Sequence, residues 1–274
     1  MKVFNEIVGE SINIPDEPQR ILSLAPNITE TLFMLGLEKQ IVGVSYFCNK
    51  PEEAKKKPRV GSYMQINIDK IRELEPDLVL TTTGAQRDVN KKLIKEGIPV
   101  FPLMLPTSVY GILENVWIIG NLTNRMEEAR RVIEGMVERI RKISSKKPIR
   151  RYKIYWEICL GSPYTTGAPS YVDTGITLAG GENIFNDVRM NYFKPNFDDL
   201  RKRNPDIFIY EPSPGQSIEK TKLLEMIKER NLEGISAVKK DLIFIVPSDF
   251  FAHYGPSFLD AVEWLNDLLN SLTD

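Results

Sequence analysis

The sequence contains very little histidine and cysteine. His253 is the only histidine among 274 residues, and Cys48 and Cys159 are the only cysteines. One imidazole cannot build a site for a bare zinc or manganese ion, because such sites draw several imidazoles and carboxylates together. Two cysteines are too few for a disulfide framework, so we expect free thiols. The sequence therefore predicts neither a metal site nor a disulfide-stabilised fold.

Long apolar runs and an excess of one charge are also missing. No apolar stretch approaches the roughly 20 residues that span a bilayer. The chain carries 36 basic and 37 acidic side chains, so it has no net positive electrostatic potential that would attract a nucleic acid. The first 15 residues lack the apolar core of a signal peptide, so the chain is either cytoplasmic or has lost its leader.

Catalytic motifs are absent as well. The sequence has no G-x-S-x-G, P-loop lysine, C-x-x-C or H-E-x-x-H motif. Asp249, His253 and Ser257 are the residue types of a hydrolytic triad, but residues this close on one loop seldom adopt its geometry. We predict that the protein is not an enzyme.

What the chain does contain is an internal repeat. NIDKIRELEPDLVL at 67–80 returns as NFDDLRKRNPDIFI at 196–209, with Asn, Asp, Arg and a Pro-Asp pair at matching places. Each copy has the pattern of a short helix with an N-cap Asn, a proline that ends it and a buried strand. A unit used twice predicts two similar lobes with a cleft between them.

Strands and helices alternate in both halves, which predicts an α/β fold with mainly parallel sheets covered by helices. In the first half, Pro26 and Asn27 are predicted to form a loop between a strand and a helix. The longest helical pattern begins near Asn124, which forms an apparent capping box with Glu127. We therefore predict an N-terminal lobe at 1–123, a linking helix at 124–147 and a C-terminal lobe at 148–274.

Aromatic and small polar residues follow the predicted strands, where open α/β sheets bind ligands. Such loops suit a bulky, partly apolar ligand with polar edges. The predicted ligand-binding residues are Pro26, Asn27, Tyr63, Thr83, Gly84, Trp156, Tyr164, Arg189, Phe250, His253 and Tyr254. For any one of these aromatic side chains, a place in the core is the alternative.

Several segments together resemble the cobalamin and iron-siderophore receptors of ABC importers, which are class III periplasmic binding proteins. They are RILSLAPNITETLFMLGLEKQIVGV, FCNKPEEAKKKPRVGSY, LEPDLVL, GGENIF and NPDIFIY, and their order carries the resemblance from residue 20 onward. The resemblance implies two Rossmann-like lobes joined by one long α-helix and an extracytoplasmic, monomeric binding protein. It implies a large metal chelate as cargo and no resident cofactor.

The resemblance also suggests a ligand and a partner. The chain is most similar to the vitamin B12 branch, in which an aromatic residue at the Tyr63 position flanks the corrin, usually as Trp. Asp69 and Asp198 occupy the places where such receptors carry an acidic residue, usually Glu, that docks onto an arginine pocket of a permease dimer. An Asp there also favours the helix dipole, which is the structural alternative.

Three other ligands or activities remain open. A ferric siderophore would pair with Arg189 or Arg87, and heme would use Tyr63 or His253 as an axial ligand. Heme-binding members place a Tyr directly after the glycine of the V-G pair, where this chain has Ser62. A chelatase that inserts metal into a tetrapyrrole is the alternative from another class, and scarce histidine counts against it.

Overall fold

A computed structural model describes residues 1–272, so the last two residues of the predicted C-terminal lobe lie outside the described range. The chain forms two compact units. The first comprises residues 1–106 and 111–136, and the second comprises residues 107–110 and the chain from 137 onward. The predicted limits at 123/124 and 147/148 treat the linking helix as a separate segment and stay a prediction.

The first unit is built on a parallel sheet in the order β4-β3-β5-β6, preceded by an antiparallel hairpin of β1 and β2. Its strands are β1 Lys2–Asn5, β2 Glu10–Asn13, β3 Ile21–Ser23, β4 Ile41–Val44, β5 Leu78–Thr82 and β6 Val100–Leu103. Its helices are α1 Pro26–Met34, α2 Ile68–Glu73 and α3 Arg87–Lys95, and two further helices, α4 Val109–Leu122 and α5 Met126–Ser145, cross the boundary between the units. Single helical turns lie at Glu52–Lys56 and Gly84–Gln86.

The second unit has a mixed sheet in the order β10-β8-β7-β11-β12, with β9 pairing beside β7. Its strands are β7 Lys153–Cys159, β8 Pro163–Thr166, β9 Glu182–Asn183, β10 Tyr192–Phe193, β11 Ile207–Glu211 and β12 Ile243–Ile245. Its helices are α6 Tyr171–Leu178, α7 Phe197–Arg203, α8 Lys220–Glu229, α9 Ser236–Lys239 and α10 Phe258–Ser271. The β7, β11 and β12 strands are parallel, and β8 and β10 are antiparallel additions.

The predicted repeat forms the same structure in both units. Asn67 caps α2 by accepting a hydrogen bond from the Lys70 amide, and Asn196 caps α7 by accepting from the amides of Asp198 and Asp199. This confirms the two predicted N-caps, whose side-chain oxygens satisfy amides that have no partner inside the helix.

After each helix, the Pro-Asp pair starts the buried strand. The residue before each proline, Glu75 or Asn204, has a positive φ. The Asp77 carboxylate then accepts from the Arg20 amide at 3.0 Å, and the Asp206 carboxylate accepts from the Lys153 amide at 2.9 Å. These amides lie at the start of the neighbouring strand, so the repeated Asp fixes the register of two parallel strands in each unit.

Local predictions around the helices were wrong in two places, and one helix was missed. Pro26 and Asn27 form the first turn of α1 and not a loop, because proline is favoured at the first helical positions. The long helix begins at Met126. Asn124 has φ +55°, and its side-chain nitrogen Nδ2 donates to the Glu17 carboxylate, so it forms no capping box with Glu127. The helix α4 was not predicted.

Candidate ligand-binding and docking residues

The carboxyl ends of the strands in the first unit are joined by one buried side chain, Gln86. Its amide nitrogen donates to the carbonyl oxygens of Leu24 and Tyr63, both at 2.9 Å. Its carbonyl oxygen accepts from the Thr82 amide at 2.9 Å and from the Thr82 hydroxyl at 3.1 Å. Gln86 therefore links the ends of β3 and β5 to the segment that carries Tyr63.

Tyr63 lies on a tight turn beside this edge of the sheet. Its hydroxyl is 2.7 Å from the Thr82 hydroxyl oxygen, while the side chain remains partly exposed. The turn is closed by the Ser62 amide, which donates to the Gln65 carbonyl at 2.7 Å. Only glycine fits at position 61, because a Cβ there would lie 2.2 Å from the Gln65 carbonyl oxygen. The turn thus fixes the backbone next to Tyr63.

The other candidates of the first unit differ in exposure. Asn27 is buried on α1, and its Oδ1 has no hydrogen-bond partner among residues 1–272. Pro26 and Thr83 are partly exposed and Gly84 is exposed. The Thr83 hydroxyl accepts from the Leu105 amide at 2.9 Å, and Gly84 has φ +75°. Pro26, Thr83 and Gly84 present surface at the carboxyl edge, whereas Asn27 presents none.

In the second unit, Trp156 occupies the core and not a loop. It lies in the middle of β7 with 1% of its surface exposed, between β8 and β11. Its indole N–H donates to Glu211 at 3.2 Å. The predicted placement at a strand end was wrong, because β7 is an internal strand whose residues from 154 to 158 are all buried. Direct contact of Trp156 with a ligand stays a prediction.

Glu211 ends β11 and holds the segment that carries three other candidates. Its carboxylate accepts from the backbone amides of Phe250 at 3.1 Å, Phe251 at 3.0 Å and Ala252 at 3.2 Å. Burial raises the pKa of Glu211 to about 7, against the lowering effect of these amide donors. A buried carboxylate thus fixes three consecutive residues of a surface segment.

The side chains of this segment point to different surroundings. Phe250 and Tyr254 are partly exposed, and their rings contact the rings of Trp264 and Tyr171 with centroids 5.9 and 5.6 Å apart. The His253 side chain is 1% exposed, and its Nδ1 lies 3.3 Å from Asp249. The buried position of His253 does not fit the predicted contact with a ligand, since the ring is enclosed by the fold.

Tyr164 and Arg189 lie near β8 and β10, at the opposite end of the second unit's sheet from β12. Tyr164 is partly exposed on β8, with the Lys194 ammonium 5.7 Å from its ring centroid. Arg189 is exposed, and the carbonyls on either side of it accept from the amides of Gly167 and Ala168 at 3.0 and 2.9 Å. The backbone of Arg189 is therefore fixed, while its guanidinium is accessible to an anionic group.

Asp69 and Asp198 occupy equivalent positions in the first turns of α2 and α7. Their side chains are 88% and 72% exposed. Each pairs with the arginine three residues on, Asp69 with Arg72 at 3.9 Å and Asp198 with Arg201. Exposed pairs of this kind contribute little stability, so both carboxylates can exchange their arginine for another.

Sequence reasoning missed Gln86 and Glu211, the two residues that organise these edges. Glu211 aligns with Thr82 two residues beyond the end of the repeat, but the residue types differ there, so the repeat did not single Glu211 out. Within residues 1–272, no group of three or more His, Cys, Asp and Glu side chains is arranged to hold a metal ion. No helix in the same range combines the length and apolar character needed to cross a bilayer.

Two α/β units, each with parallel strands covered by helices, are the architecture of the two-lobed class of periplasmic binding proteins. The chain belongs to the periplasmic binding protein family, whose model matches residues 21–250. This family consists of substrate-binding proteins for transport and not of enzymes.

Relatives by sequence include two proteins with named ligands. The chain is 30% identical over 206 residues to a cobalamin-binding protein of Halobacterium salinarum, a match that covers 73% of this chain and 55% of the relative, little more than half its length. It is 28% identical over 204 residues to a vitamin B12-binding protein of Yersinia pestis, covering 72% of this chain and 71% of the relative.

Two further likenesses cover most of this chain. An uncharacterized ABC transporter substrate-binding lipoprotein of Bacillus subtilis is 27% identical over 273 residues, with 96% of this chain and 83% of the relative covered. A crystal structure of a possible iron-binding periplasmic solute-binding protein from Staphylococcus epidermidis is 28% identical, with TM-score 0.78 over 92% of this chain and 98% of that chain. The family and fold predicted from the sequence are thereby confirmed.

Proposed function

We propose that this protein is the extracytoplasmic substrate-binding protein of an ABC importer and that its cargo is a cobalamin. The observation that carries the proposal is the 30% identity to a cobalamin-binding protein, together with 28% identity to a vitamin B12-binding protein. Partly exposed aromatic rings at Tyr63, Phe250 and Tyr254 support it. Such rings suit the flat, apolar faces of a corrin, and neighbouring backbone groups suit its amide rim.

Delivery of the cargo would use Asp69 and Asp198. Their exposure and their matched positions on α2 and α7 support docking onto two cationic pockets of a permease dimer. Docking would replace the intramolecular pairs with Arg72 and Arg201 by intermolecular ones. This exchange costs little, because solvent-exposed ion pairs contribute only about 0–1 kcal/mol.

Calorimetric titration with cyanocobalamin tests the ligand through Tyr63. Tyr63→Ala removes the ring and its hydroxyl contact with Thr82, and we expect at least about tenfold weaker binding, equivalent to about 1.4 kcal/mol. Phe4→Ala is the matched control, because Phe4 is an aromatic residue of the same unit, 59% exposed on β1. Equal affinity of Tyr63→Ala and Phe4→Ala would remove Tyr63 from the site.

A ferric siderophore is the second candidate cargo. Exposed Arg189, with its backbone fixed on both sides, favours an anionic chelate. The 28% identity to a possible iron-binding protein supports the same choice. Heme receives less support, because its candidate axial ligands are engaged: the Tyr63 hydroxyl contacts Thr82, and His253 lies buried beside Asp249.

A further inference from the structure

The buried carboxylate of Glu211 accepts hydrogen bonds from four N–H groups. Three consecutive backbone amides, from Phe250 to Ala252, and the Trp156 indole N–H converge on its two oxygens. The residue before them, Asp249, has φ +62°, a conformation that costs energy for a residue other than glycine. The backbone here adopts a shape that the carboxylate stabilises.

A second anchor, Tyr171, fixes the same segment through a carbonyl and a ring contact. The Tyr171 hydroxyl donates to the Ala252 carbonyl at 2.8 Å, and the Tyr171 ring packs on Tyr254 with centroids 5.6 Å apart. Ala252 is therefore held through both its amide and its carbonyl. The partly exposed rings of Phe250 and Tyr254 lie on either side of this fixed point.

The repeat gives an independent reason to assign Glu211 a role at the site. Glu211 matches Thr82 when NFDDLRKRNPDIFIYE is aligned with NIDKIRELEPDLVLTT. Thr82 ends its own strand in the same way and contacts the hydroxyl of Tyr63. In each unit, the last residue of the repeated strand is a buried polar residue bonded to a segment with a candidate aromatic ring.

We propose that Glu211 is a positioning residue for ligand binding, which fixes the backbone of residues 250–252 and thereby the rings of Phe250 and Tyr254. The proposal rests on the proposed function, since those rings are taken to contact the cargo. Rigid placement before binding reduces the entropy lost when the complex forms. Glu211 itself does not touch the ligand.

Glu211→Gln is the test variant, since it keeps the size of the side chain and replaces one acceptor oxygen by a donor. Glu157→Gln is the matched control. Glu157 is an equally buried carboxylate on the adjacent strand β7, and it pairs with Arg230 at 2.8 Å and not with residues 250–252. Both variants change a buried charge in one sheet, so both are expected to lower stability.

Two measurements at pH 8 separate positioning from general stability. Hydrogen exchange at Phe250, Phe251 and Ala252 is expected to be about tenfold faster in Glu211→Gln and unchanged there in Glu157→Gln. Cyanocobalamin affinity is expected to fall about tenfold in Glu211→Gln alone, and by less when Phe250→Ala and Tyr254→Ala are both already present. Where Glu211→Gln does not fold, Tyr171→Phe loosens the same backbone by removing its donor to Ala252.

The outcomes test the positioning role of Glu211 and the proposed cobalamin cargo separately. Unchanged exchange at residues 250–252, or an equal loss of affinity in both glutamine variants, overturns the positioning role. An undiminished tenfold effect of Glu211→Gln when Phe250→Ala and Tyr254→Ala are both already present also overturns it, because the effect would then pass through neither ring. Wild-type protein that binds no cobalamin while the exchange responds as expected refutes the proposed cargo and leaves the anchoring of the segment in place.

Discussion

Replacing Gln86 by leucine tests the structure of the first unit most sharply. The substitution removes four hydrogen bonds, two donated to the carbonyls of Leu24 and Tyr63 and two accepted from Thr82. At about 1 kcal/mol each, their loss lowers the free energy of unfolding by about 4 kcal/mol. Because Gln86 is 0% exposed, water does not replace the lost partners.

Urea unfolding at 25 °C measures this change, with Asn90→Leu as the control. Asn90 is a second buried amide near the same strand, and it makes two bonds, accepting from the Thr81 hydroxyl at 2.6 Å and donating to the Thr82 carbonyl at 2.9 Å. Its replacement should cost about 2 kcal/mol, or half as much. A Gln86→Leu protein no less stable than Asn90→Leu would refute the assignment of Gln86 as the link between the strand ends.

Three further predictions concern docking, pH and the core. Asp69→Arg combined with Asp198→Arg is expected to abolish uptake of cargo in a transport assay while leaving the affinity for cargo intact. The control Asp88→Arg, at a first-turn position of α3 that is 95% exposed, should retain uptake. Full uptake in the double variant would exclude docking through these two residues. Stability should fall as pH rises from 4.5 to 7, because the folded protein holds the Glu211 proton with a pKa of about 7 while the unfolded chain releases it near 4.5. Protonation of Glu211 contributes about 3 kcal/mol to the free energy of unfolding, and this contribution is full below pH 4.5. Urea unfolding at pH 5 and pH 8 should therefore show a larger change in the free energy of unfolding for wild type than for Glu211→Gln. Equal changes in the two proteins would contradict this prediction. Trp156→Ala should lower the free energy of unfolding by about 3–5 kcal/mol, as for other core tryptophans, and a loss below about 1 kcal/mol would contradict its core placement.

Features that depend on neighbours in sequence were predictable. The caps of α2 and α7 follow from the preference of asparagine for that position, and the Pro-Asp pair after each helix marked the start of a strand. Repetition of the pattern predicted two similar units. The fold class needed no more than these local signals and the alternation of strands and helices.

Features that depend on distant contacts were not predictable in the same way. The partners of Gln86 include Leu24, 62 positions away, and those of Glu211 include Phe250, 39 positions away. Trp156 lies within a run of strand-forming residues at 152–160, but its burial depends on β8 and β11, the strands on either side of β7. The helix α4 was missed because its sequence, VYGILENVWIIGNL, has a single charged residue and so lacks the polar face by which amphipathic helices are recognised.

The burial of Trp156 and His253 was not expected from the sequence. Trp156 was predicted to bind because it is an aromatic residue beside polar ones, and His253 because an imidazole can be an axial ligand of heme. In the structure, the Trp156 indole and the His253 ring are each bonded or paired within the second unit, to Glu211 and Asp249. Among the predicted ligand-binding residues of this unit, the partly exposed aromatic side chains are those of Phe250, Tyr254 and Tyr164.

The most direct test of the account is an equilibrium titration of the wild-type protein with cyanocobalamin, followed by absorbance and thermal shift, beside heme and a set of ferric siderophores. A ligand that binds only the folded state raises the apparent melting temperature, by an amount that grows with the logarithm of its concentration divided by its dissociation constant. The account predicts saturable binding of one cobalamin with a raised melting temperature and weaker responses to the other compounds. Saturable binding of heme or a siderophore, with no response to cobalamin, would contradict it.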